Sequence, residues 1–214
     1  MRTNAREDGV FAAAFASIRP EWQGFGQYCE WLEKGVRTRA FAELEAFLSD
    51  ASAWPFDMRL EFVLWVLKLE RDPANNPLLS HQLRIKLLVP TIRELNTRAP
   101  DRAESYLWLG LLRQDNPSAH LAHAVEIDPT CEPAHQMLSQ WICCDISYNQ
   151  HELPAFYIHD PRIDLEDLDR VVALCTPYIK QRWAVSWRRE AARQRKRVHA
   201  WLKAHPRPGD FAAQ

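Results

Sequence analysis

Asp57–Arg71, DMRLEFVLWVLKLER, decides how the rest of the chain is read. Leu60, Val63, Leu64 and Leu67 fall at i, i+3, i+4 and i+7, which places four aliphatic side chains on one face of an α-helix. Phe62, Trp65, Val66 and Leu69 fill the other side, so this helix is predicted to be apolar nearly all round and to lie centrally in a core. Asp57, just after the turn-prone Trp54-Pro55-Phe56, is expected as its N-cap. Glu61 and Lys68 interrupt the apolar run LEFVLWVLKL, which at ten residues is about half of what a bilayer crossing needs. No membrane span is expected.

The same spacing recurs outward from this segment. Helix starts are expected at Asn76-Pro77, at Asp101 with Glu104 as a capping box, at Asn116-Pro117 and at Asp164 with Asp167. Pro90, inside LLSHQLRIKLLVPTIRELN, is expected to kink or split its helix, because it has no N–H to give to the preceding turn. No alternating run supports a strand. The expected fold class is all-α, with roughly eight to ten helices and Pro-containing turns.

With 214 residues the chain fits one large domain or two small ones, and a hydrophobic share of 47% with nine Trp supplies enough apolar area for a sizeable core. Six Gly fall well below the typical share of about 7%. Neither GxGxxG nor GxxxxGK[ST] is present, and GxSxG and HExxH are missing too, which argues against the familiar nucleotide-binding and hydrolase sites. Five Cys without a CxxC, two of them adjacent at 143 and 144, suit no common disulfide framework. The N-terminal MRTNAREDG mixes acids with bases, and the apolar VFAAAFASI after it is very short for a signal core, so a cytoplasmic location is expected.

One segment departs from helical spacing. HELPAFYIHDPRI, residues 151 to 163, holds two Pro, two His and two adjacent aromatics. It is read as a loop, either a boundary or a binding loop, that separates a helical body, 1–150, from a C-terminal helical segment, 164–214, packed on that body.

AESYLWLGLLRQDNPSAHLAHAVEIDP, Ala103 to Pro129, carries Leu109 and Gly110 in a first helix and Leu121, Ala124 and a closing Pro129 in a second. In these positions it resembles the tetratricopeptide repeat. Flanking helices at 78–98 and 131–150 stand where neighbouring repeats would. The resemblance implies an array of helical hairpins whose concave surface holds another protein or peptide without catalysis.

Candidate chemistry comes from four other patterns. His120, His123, Cys131 and His135 give H-x2-H-x7-C-x3-H, ligand types suited to zinc, although the spacing matches no common zinc motif and half-exposed His also serve as plain interface residues. Cys143 and Cys144 follow Trp141 and Ile142 in an apolar helix without nearby cations, which favours a packing role over a reactive thiolate; a Cys–His pairing with His151 or His159 lacks any local signal. Asp160, Asp164, Glu166, Asp167 and Asp169 are more simply capping and helix-dipole acids than a catalytic pair.

The fourth pattern is charge. Residues 178 to 214 hold ten Lys plus Arg and two acids, whereas 1 to 177 hold seventeen bases and twenty-six acids. Trp183, Trp187, Ala191, Gln194, Val198, Trp201 and Leu202 form one stripe of an amphipathic helix expected to dock on the acidic body. The six bases from Arg188 to Arg197 take the remaining circumference.

The leading expectation is a non-catalytic adaptor, chaperone or toxin antidote that binds another protein or peptide in a groove between helices, without a cofactor. Tyr106, Trp108, Phe156, Tyr157, Arg188, Arg189 and Arg193 are its candidate contacts. The alternatives are a zinc-dependent enzyme built on His120, His123, Cys131 and His135, and a nucleic-acid-associated protein using the basic helix; net charge near zero argues against nucleic acid or a membrane surface as the main partner.

Overall fold

The computed structural model describes residues 19–68 and 78–205. The fold is all-α, and the described residues contain no strand. The expected helix start at Asn76-Pro77, Leu69 of the central helix and the N-terminal signal reading lie outside the described residues.

The chain divides into two compact units, residues 1–117 and 118–214. The division falls earlier than the break at 150 expected from sequence. Ala103–Leu111 and Pro117–Ile127, the two arms of the expected repeat, both form helices, and the boundary falls after Pro117, the first residue of the second.

In the first unit a 3-10 turn, Pro20–Trp22, leads into α1, Gln23–Glu33, which packs against α2, Arg37–Ser52. Gly35 makes the connection with φ +73°, a conformation that strains residues with a side chain; its N–H bonds to Leu32 O and that of Val36 to Trp31 O, closing the α1 end as a Schellman motif. α3, Phe56–Lys68, is the expected central helix. It starts one residue before Asp57, which therefore lies in the first turn. Phe62 is fully buried and meets Trp22 at 5.3 Å, Phe25 at 5.2 Å and Phe47 at 5.0 Å, ring centre to centre. Edge-on and tilted aromatic contacts of this kind add to the burial of large apolar area.

The helix that contains Pro90 is not split there. α4 runs on through His81–Leu83, Arg84–Leu88 and Val89–Arg98, and the middle piece is π-helical, with Val89 N–H donating to Arg84 O five residues back. One wide turn absorbs the donor that Pro90 lacks. α5, Ala103–Leu111, packs on α4. The Asp101 capping box does not form: Arg102 is the N-cap position, and Glu104 pairs with Arg102 Nη2 at 2.6 Å.

The second unit holds α6, Pro117–Ile127, α7, Glu132–Asn149, α8, Pro161–Cys175, and α9, Arg182–Ala204. α8 begins three residues before Asp164 and is capped by Asp160, whose carboxylate accepts from Arg162 N–H at 2.9 Å. α9 packs on α8 and α7 through Ala184, Ala191, Gln194, Val198 and Trp201, all buried, with Trp183 and Trp187 half-buried at one end of the stripe. The amphipathic reading of this helix describes its packing within the second unit.

Candidate functional site

Residues 151 to 160 form turns without a helix and hold a Leu153–Pro154 cis peptide. Chain of this kind keeps a fixed path only if its polar groups find partners, and here the partners are buried. Tyr157, 1% exposed, donates its hydroxyl to Asp164 Oδ2 at 2.6 Å. Asn149 Nδ2 donates to the other oxygen of Asp164 at 3.0 Å. Gln150 Nε2 donates to the Tyr157 hydroxyl at 3.2 Å and to Gln194 O at 3.3 Å, and Gln194 Nε2 donates to Cys143 O at 2.8 Å. This chain of bonds joins α7, the loop, α8 and α9. Burial pushes the Asp164 carboxyl above the ordinary range, opposed by the donations from Tyr157 and Asn149; burial also pushes the Tyr157 hydroxyl up.

Beside this network lies a cleft of about 470 Å³, lined by Ser147, Gln150, His151, Leu153, Pro154 and Arg197. Its size falls in the roughly 300–1,000 Å³ range of ligand sites. The wall combines an apolar corner, Leu153 with Pro154, and polar groups of both kinds. Gln150 Oε1 is buried without a hydrogen-bond partner. His151 is held by Tyr148 O, 2.6 Å from Nδ1, and by Glu152 Oε1, 2.8 Å from Nε2. Its ring stacks on that of Tyr148 with centres 5.0 Å apart. Tyr148, in the last turn of α7, is 65% exposed, and Phe156 on the loop is 43% exposed.

The residues expected at a partner surface separate into two groups. Phe156, Arg189 and Arg193 are exposed and Arg188 is half-buried on α9. Tyr157 and Trp108 are core residues instead, and Tyr106 is half-buried on α5. Sequence reasoning passed over Ser147, Tyr148 and Gln150; it marked the segment that holds His151, Leu153 and Pro154 and the run of bases that ends at Arg197, without naming these four as contacts. The available signal was a helix ending at Asn149 directly before a Pro-containing loop.

The zinc candidates are not brought into one coordination set; among the described residues no three His, Cys, Asp or Glu side chains converge in a way that could hold an ion. His135 is buried with Nδ1 2.9 Å from Leu174 O and Nε2 3.1 Å from Pro129 O, so backbone carbonyls occupy both ring nitrogens. His123 Nδ1 lies 2.9 Å from Glu126, His120 is half-buried, and burial raises the half-buried Cys131 thiol. The Cys143 thiol is pushed up to about 12, chiefly by burial and then by Glu190. A thiol in that state is a packing group, since the nucleophile is the thiolate. Cys144 is exposed.

Among the loop-side acids, Asp160 caps α8 and Asp169 Oδ1 pairs with Arg195 at 2.6 Å. No helix among the described residues is long and apolar enough to cross a membrane. No family model, curated protein or solved structure matches this chain.

Proposed function

We propose that the chain is a non-catalytic protein-interaction module, and that its cleft at the end of α7 receives a segment of another protein. One observation carries the reading: exposed aromatic side chains flank a preformed cleft, Tyr148 stacked on the lining residue His151 and Phe156 two residues after the lining residue Pro154, and the loop between them is held by buried hydrogen bonds. A Phe left in solvent forgoes part of the roughly 1.5–3 kcal/mol that its burial would contribute. A partner that covers Phe156 and Tyr148 recovers that term, and the fixed loop lowers the ordering cost of binding. The raised thiols and the backbone-bound His135 support a binding role over nucleophilic or metal chemistry.

Site-specific photo-cross-linking in the native cell tests this. A photoreactive residue at Phe156 or Tyr148 is expected to yield a discrete adduct with a second polypeptide. The control is Ile179, which is 52% exposed in the same unit but sits on the turn between α8 and α9, next in sequence to no cleft-lining residue. Equal adducts at Ile179, or none at the two aromatics, would refute the assignment.

A further inference from the structure

We infer that the segment received by the cleft is acidic, with a carboxylate side chain next to a large apolar one, and that Arg197 is the residue that selects it. The inference rests on the docking role proposed above and names the partner's chemistry.

The α9 bases differ in their pairing. Arg193 pairs with Glu190 at 2.7 Å and Arg195 with Asp169 at 2.6 Å. Arg197, which lines the cleft, makes no ion pair or hydrogen bond with any described residue. Its guanidinium is therefore available at the cleft wall, where a carboxylate can take two parallel N–H bonds from it.

A basic stripe continues from that point. Arg182, Arg189, Arg193, Lys196, Arg197 and Lys203 fall within about 120° of one another at 100° per residue, a stripe about 30 Å long on the side of α9 away from its buried residues. All six are exposed. A partner leaving the cleft along α9 meets a net positive stripe in which, among the described residues, Arg193 alone is paired with a neighbouring carboxylate, that of Glu190, so acidic residues flanking the anchor gain encounter rate as well as affinity.

The charge balance of the unit favours a protein over a nucleic acid. Residues 118 to 205 hold eleven bases and eleven acids, so the field of the unit as a whole is balanced and the positive potential is confined to one helix face. A phosphate backbone contacts several bases at once and is repelled by carboxylates such as Asp169 and Glu190 beside them. A short acidic segment needs only the stripe, and its apolar residue matches the Leu153, Pro154, Tyr148 and Phe156 surroundings.

The test uses the full chain and fluorescent synthetic peptides in a Gly/Ser frame, in three sets: Asp or Glu with Phe or Trp, Lys or Arg with Phe or Trp, and Phe or Trp alone. An oligothymidine and a short RNA duplex complete the panel. Anisotropy titrations at low and moderate salt are expected to select the acidic aromatic set. Arg197→Glu should weaken those peptides about tenfold, while Arg197→Lys keeps most of the affinity. Arg197 is exposed, so both variants should melt like the parent. If the neutral set binds as tightly as the acidic one and Arg197→Glu changes nothing, the charge inference is wrong and the docking role stands. If no peptide set binds, the docking role fails with it. An oligonucleotide that outcompetes every peptide and depends on Arg197 overturns the inference in favour of a polyanion groove.

Discussion

Asp164 is a carboxyl group taken out of water by its own helix, 2% exposed, with Tyr157 and Asn149 donating to it. Its folded pKa lies above the ordinary value of 3.8, because burial outweighs those two donations. The folded chain therefore holds this proton at pH values where the unfolded chain has released it. Stability from this group is greatest below about 3.8 and falls as pH rises through the folded value. Asp164→Asn keeps an acceptor for Tyr157 and does not titrate, at the cost of the Asn149 bond. Denaturant melts between about pH 3 and 7 should show the parent losing stability relative to Asp164→Asn as pH increases; parallel curves would contradict the placement. Asp164 reads in the sequence as a helix-starting acid because Asp160, Asp164 and Asp167 are interchangeable in composition. Only the packing of α8 decides that Asp160 caps and Asp164 is enclosed. The same holds for Phe156 and Tyr157: without a period, sequence does not tell which neighbour turns inward, and the hydroxyl bond to Asp164 settles it for Tyr157.

At the scale of elements, legibility followed periodicity. α3 and α9 were readable because their apolar positions repeat with the helical turn. The π-helical piece of α4 was not, since a wide turn before Pro90 leaves no mark on the apolar pattern. The close approach of α1 and α2 was hidden for another reason: it depends on what Gly24 lacks. A Cβ there would stand 3.2 Å from Phe47 Cβ, and Phe47 is itself wedged against Phe25, Trp54 and Phe62. Gly24→Ala sets a gain in helix propensity of up to about 1 kcal/mol against that contact. Gly24→Val adds two more methyl groups and a stiff side chain to the same space. It should destabilise the first unit by about 1–3 kcal/mol, read from the shift in its unfolding midpoint. A neutral effect would mean that α1 and α2 are free to separate at this level.

For the whole molecule, the charge asymmetry was legible early, and its consequence is local: the basic face belongs to one helix of a charge-balanced unit. The division at residue 117 was not legible, because Asn116-Pro117 reads equally well as a turn inside a hairpin and as a junction between bodies. Each unit has its own core. The first is aromatic around Phe62 and Phe25, while the second is aliphatic around Leu121, Leu138, Val171 and Val198, with the Tyr157–Asp164 network beside it. Two separate cores predict two unfolding transitions. Phe62→Ala removes the ring at the centre of the first and should cost about 3–5 kcal/mol there. Val198→Ala trims the second by two methyl groups, which corresponds to a loss of about 1–3 kcal/mol. Calorimetry of the full chain should show each substitution lowering a different transition, and helicity lost in each step should scale with the unit affected. If either substitution moves a single common transition, the two bodies unfold as one and the cores are coupled in stability.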